Sequence, residues 1–170
     1  MIKFRPLRLR LILLLLPLLA SCGLGGDRDL QLPTSEEAAS RYGAGVAVEL
    51  RGNLLEVRAP MTAEQLERGG TLWARGGPYF FLFSTATRDL FVEYADLAAV
   101  RVVTETAAGE EVARAELHRD AIAEPRWRQA LGLSALAQQE GTQRPRRVEE
   151  LIYFGEDYTQ FEYNPEFAGQ

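Results

Sequence analysis

At His118 the apolar period of this 170-residue chain changes from two residues to about 3.6, and that switch constrains the fold more than any other feature. Before it, short apolar runs are separated by glycine-containing connections, as strands and hairpins require. VAVEL, from Val46, and LLEVRA flank Arg51-Gly52-Asn53, with Val46, Val48 and Leu50 on one face. TLWAR and YFFLFS flank Gly76-Gly77-Pro78, where glycine can take positive φ at little cost. AVRVVTE and EVARAEL flank Ala107-Ala108-Gly109-Glu110. On the returning run Ala113, Ala115 and Leu117 fall on one side and Arg114 and Glu116 on the other, the alternation of a sheet with one wet face. LFVEY, Leu90 to Tyr94, adds a short strand, and YTQFEY, Tyr158 to Tyr163, a last one.

Helices are marked by their caps. Thr34 with Glu37 forms a capping-box pattern over a short helix ending before Gly43, and Thr62 with Gln65 another over a turn that stops at Gly69-Gly70. After the switch, Pro125 starts a helix carrying Trp127, Leu131 and Ala135 as a stripe. Pro145 starts a second, with Val148, Leu151 and Ile152 on one face and Gly155 as its stop. The expected fold is a single β-rich α+β domain over residues 34–170. Its first form is an antiparallel β-sandwich with helical additions, and its second is a single sheet covered by the two C-terminal helices.

The N-terminus has a different logic. Lys3, Arg5, Arg8 and Arg10 precede the apolar run Leu11 to Ala20, the charge-then-grease order of a secretory signal. A spanning helix needs about 20 apolar residues, and this run has half that with Pro17 inside it. Directly after it stands Leu19-Ala20-Ser21-Cys22, which resembles the lipobox of bacterial lipoproteins. The resemblance implies a signal peptide over residues 1–21, cleavage between Ser21 and Cys22, and covalent lipid on the Cys22 thiol as the only added group. Two or more acyl chains then hold the protein at a bilayer stably, where one would bind only reversibly. Gly23, in place of an aspartate, implies the outer membrane where the source has two. Residues 22–33, rich in glycine and charge and without periodicity, read as the lipidated end and a flexible tether.

Cys22 is the only cysteine, so the chain can form no internal disulfide, and acylation would consume a thiol that is otherwise a liability in an exported protein. Residues 1–21 hold four of the 19 basic residues and none of the 24 acids; residues 22–170 carry 15 bases against 24 acids, a formal charge of −9. Such acidity disfavours nucleic acid and adsorption to anionic lipid.

Candidate chemistry is sparse. His118 is the only histidine, and no nucleophile-elbow glycine pattern surrounds Ser84 or Ser134, so a triad has no support and no enzyme activity is expected. One histidine and no free cysteine leave no zinc ligand set, and the carboxylates lack the clustering of a calcium loop. Glu110-Glu111 and Glu149-Glu150 read as a solvated turn and a helix first turn. Trp73, Tyr79, Tyr158 and Tyr163 are the residues to consider for a recognition surface. The expected role is a membrane-tethered accessory domain that binds another envelope protein. The alternative is a carrier or sensor of a small hydrophobic ligand, with the Tyr79 to Phe83 strand lining its cavity.

Overall fold

The computed structural model describes residues 29–167. The signal segment, Ser21, Cys22 and most of the tether lie outside the described residues.

From Gln31 onward the chain forms one folded unit. The final three residues of the expected tether belong to it. The Gln31 N–H donates to the Asp96 carboxylate (Oδ2, 2.7 Å) and its carbonyl accepts from the Asp96 N–H at 3.3 Å, Leu32 packs on the core, and Pro33 is buried. Thr34 then caps α1 (Ser35–Tyr42) with the full reciprocal box to Glu37, as its sequence spacing predicts.

The first hairpin stands as expected: β1 (Ala47–Arg51) pairs antiparallel with β2 (Leu54–Pro60) across Gly52-Asn53, with Gly52 at φ 64°. So does the third, β3 (Ala99–Glu105) with β4 (Glu111–His118). Between them the second hairpin is not formed. TLWAR and the first four residues of YFFLFS lie in one helix, α2 (Ala63–Leu82), with Phe83 as its C-cap, and LFVEY lies in α3 (Thr85–Glu93) with Tyr94 as its C-cap. The Thr62–Gln65 capping box starts α2, but the helical stretch resumes beyond Gly70, where the backbone breaks at φ 49°, ψ −136°.

The misread glycines have a packing role. A Cβ on Gly76 would sit 2.8 Å from Val148 Cγ1, and one on Gly77 would sit 3.1 Å from both Met61 Sδ and Thr104 Cγ2. Adjacent glycines thus let α2 press against α5 (Arg146–Tyr158) on one side and the sheet on the other. From Gly76 to its end at Leu82 this helix carries no charged residue, so its YFFL run shows no helical stripe and resembles a central strand. Ser84 caps α3, accepting from the Thr87 N–H at 3.3 Å.

The helices after the period change are α4 (Glu124–Glu140), with Pro125 in its first turn, and α5 (Arg146–Tyr158). Gly155 does not stop α5. Its missing side chain makes room for the Tyr79 ring, which a Cβ there would meet at 2.4 Å. Tyr158 consequently ends a helix, and the last strand, β5, is only Gln160–Tyr163.

The five strands form one open sheet in the order β1-β2-β3-β4-β5. β2 and β3 are parallel, and the other neighbours are antiparallel. A parallel pair cannot be joined by a tight turn, and the α2–α3 segment supplies the crossover. The described residues therefore form a mixed α+β fold on a single sheet; a second sheet, as a sandwich would need, is not among them. The layer on the sheet is α2, lying against β3 and β4, while α4 and α5 pack on each other and on α2. Leu55, Val57, Val100, Val102, Ala115 and Leu117 face this layer and are fully buried with Tyr79, Leu82, Phe83 and Leu151.

Candidate interaction surface

The register places the polar residues of all five strands on the opposite face. Glu49, Glu56, Arg101, Glu116 and Gln160 form one row across the sheet, and Arg58, Val103, Arg114 and Glu162 the next. Most of these side chains are joined in ion pairs. Glu56 is at the centre, with Arg58 Nη2 2.6 Å from one carboxylate oxygen and Arg51 and Arg101 at 3.4 and 3.7 Å from the other. Three guanidinium groups close over it so completely that Glu56 is 3% exposed on a face that no helix covers. Arg58 also pairs with Glu105, Arg51 with Glu49 at 2.8 Å, Arg101 with Glu116 at 2.6 Å, and Arg114 with Glu162 at 2.5 Å. Val103 is buried between its register partners Arg58 and Arg114. The hydrogen bond from Arg51 holds the Glu49 carboxyl below its usual range, and the bonds to Glu56 raise Arg58 further.

His118 ends β4 on this same face, its Nε2 3.3 Å from Glu116 Oε1, and is more than half exposed. Glu111 reaches Arg114 at 3.4 Å; Glu150 takes Arg146 and Arg147 at 3.3 and 3.1 Å. One carboxylate of each adjacent pair, Glu111 and Glu150, is thus held by arginine. Among the described residues no group of three or more potential ligands could hold a metal ion. Arg101, Arg114, Glu116, Gln160 and Glu162 line a shallow depression of about 220 Å³ on this face.

The four aromatic residues singled out in the sequence fall at different depths. Tyr79 is not at a surface: it is fully buried, and burial pushes its hydroxyl strongly up. The reason is its helix, enclosed between sheet and α5. The Tyr79–Phe83 stretch is not a strand: Tyr79 to Leu82 end α2 and Phe83 caps it, Tyr79, Leu82 and Phe83 are core, and Phe80 and Phe81 line a depression of about 60 Å³ beside Met61 and Trp73. Tyr79 nevertheless links two of the others. Rings follow one another from Tyr163 through Phe161, Tyr79, Phe83 and Phe154 to Tyr158, with centroids 4.8 to 6.1 Å apart. Tyr158 is half-buried at one end and Tyr163 41% exposed at the other, where Arg75 lies over its ring at 6.0 Å. Trp73 is apart from this series, half-buried against Phe80 and lining a depression of about 200 Å³ with Glu64, Gln65 and Thr142.

Sequence reasoning missed Tyr153, 68% exposed on α5, and the arginine lattice itself. The signal for the lattice was present as the regular placement of Arg58, Arg101 and Arg114 at polar strand positions, but their pairing depends on strand order. Compared with protein-family models, with curated proteins and with solved structures, the chain matches none.

Proposed function

We propose that this chain is a lipoprotein of the bacterial envelope, held at a bilayer by acylated Cys22, whose folded unit serves as an accessory domain binding another envelope protein. The single observation that carries the reading is the Leu19-Ala20-Ser21-Cys22 motif behind a basic and then apolar leader, in a chain with no other cysteine. Among the described residues no helix is long and apolar enough to cross a membrane, so attachment on this reading falls to the lipid. The lattice of paired charges suits a protein partner, since arginines fixed by carboxylates can donate to a second surface without losing conformational freedom on binding.

The anchor is tested by expressing the full chain and its Cys22→Ser variant in a bacterial host fed radiolabelled palmitate. The wild-type protein takes up label and sediments with envelopes; the variant takes up none and leaves the membrane fraction. An unmodified sulfur in the mass spectrum of the wild-type chain, with sedimentation unchanged by the substitution, would overturn the reading.

A further inference from the structure

The two edges of the sheet are finished differently. Along β1, α1 packs against the strand and one outward group, the Leu50 N–H, donates to Ser35 Oγ at 3.1 Å. Along β5 no strand lies beyond the edge among the described residues, and Gln160, Glu162 and Tyr163 are exposed. The ladder phase tells which backbone groups that edge presents. The Asn164 N–H donates to the Val112 carbonyl at 2.8 Å, continuing the register past the Tyr163–Ala113 pair. Opposed residues in an antiparallel ladder alternate between bonded and non-bonded pairs. Glu162 and Gln160 therefore bond to β4, and the N–H and C=O groups of Phe161 and Tyr163 point outward.

Charge selects what could pair there. Glu162, 70% exposed in its side chain, is the central residue of the edge; Glu111, Asp157 and Glu166 flank it in the adjoining segments, against Arg114 and against Arg75, which lies over the Tyr163 ring and pairs with Glu156. A second copy of this chain is a poor occupant. The register using both outward-facing residues sets Glu162 opposite Glu162, and like charges directly opposite destabilise a strand pair. A basic strand meets the opposite situation.

We infer that β5 is a docking edge for an extended, basic segment of another envelope protein, which adds to the sheet as a sixth strand. The inference rests on the reading of the domain as a tethered binding module. Main-chain bonds to Phe161 and Tyr163 hold the segment, a lysine or arginine beside Glu162 sets its register, and apolar residues lie beside the Phe161 and Tyr163 rings.

The test uses the full-length chain, isotope-labelled and in detergent micelles, with two synthetic peptides: TVRVRVT, which puts arginines on one face and valines on the other, and TVEVEVT. The arginine peptide is expected to slow amide exchange at Phe161 and Tyr163 about tenfold, an occupancy worth about 1.4 kcal/mol, and the glutamate peptide to leave it unchanged. Tyr163→Pro removes an N–H that faces away from β4, so circular dichroism stays as in the wild type while the response at Phe161 is lost; Tyr163→Phe keeps the response. Equal protection by both peptides, or none at saturating arginine peptide, overturns the inference. So does protection that appears without peptide and grows with protein concentration, which would make the edge a self-contact. Cys22 acylation plays no part in this measurement, so peptide binding by a chain with an unmodified thiol would leave the edge standing and remove only the membrane.

Discussion

Single residues in this chain act through space that a sequence does not show. Gly155 is a helix residue whose Cβ position is occupied by the Tyr79 ring. Gly155→Ala, ordinarily favourable in a helix, is expected to destabilise the domain by about 1–3 kcal/mol through overpacking, measured as a lowered urea midpoint with unchanged slope. Glu37 illustrates the converse, a residue whose role is fully local. The Thr34 N–H and hydroxyl donate to its carboxylate and hold its pKa below the usual 4.5. A depressed carboxyl contributes stability that is present above 4.5 and is lost as pH falls through the lowered folded value. Thermal melts should therefore show wild type above Glu37→Gln at neutral pH, with the two converging in acid. An offset that persists to low pH would show that the charge is not what stabilises the cap.

Elements are joined by arginine. Arg119 follows β4 and turns its guanidinium onto the end of α3, donating to the carbonyls of Phe91, Tyr94 and Leu97, the last at 2.8 Å, while lying over the Phe91 ring. Helix C-terminal carbonyls lack intrahelical partners, and one planar fork meets those of Phe91 and Tyr94 together with the loop carbonyl of Leu97. Arg119→Ala should cost about 1–3 kcal/mol in urea unfolding, and Arg119→Lys should recover little of it, because an ammonium cannot span the three acceptors. On the open face, Glu56→Ala leaves Arg51, Arg58 and Arg101 facing one another. Each is at least a third exposed and can be rehydrated, so a cost of about 1–2 kcal/mol is expected, below that of breaking a fully buried pair. Since the remaining attractions and the new repulsions are both screened, the difference from wild type should shrink in 1 M salt, where the Debye length is about 3 Å. A salt-independent deficit would point to lost packing above Val103 instead.

At the scale of the molecule, the folded unit begins earlier than the composition suggests. The tether reading ends at Pro33, but Pro33 is buried and Gln31 is bonded to Asp96. A chain starting at Gln31 is expected to melt at the temperature of the full-length protein, whereas one starting at Thr34 should melt several degrees lower, by the loss of roughly 1–2 kcal/mol of burial and bonding. Equal melting of the two would place the boundary where the composition put it.

Local signals in the sequence determined the elements that depend only on their neighbours. Both capping boxes, the Gly52 turn, the strand alternation around Ala113–Leu117 and the proline-led helices are readable because each rests on contacts within a few residues. The lipid address at Cys22 is of the same kind, a motif read along the chain, and it remains a proposal tested by acylation. Tertiary structure alone decided α2, Gly155 and the charged lattice. A helix pressed on two sides loses the stripe that would reveal it, and a glycine serving a neighbouring ring looks like a stop. Arginines far along the chain from the glutamates they meet, such as Arg101 with Glu56, become partners only when β2 and β3 lie side by side. The parallel pairing of those two strands turned an expected run of hairpins into a sheet with a helical crossover, because parallel neighbours cannot be joined by a tight turn and the stretch between them must cross back over the sheet.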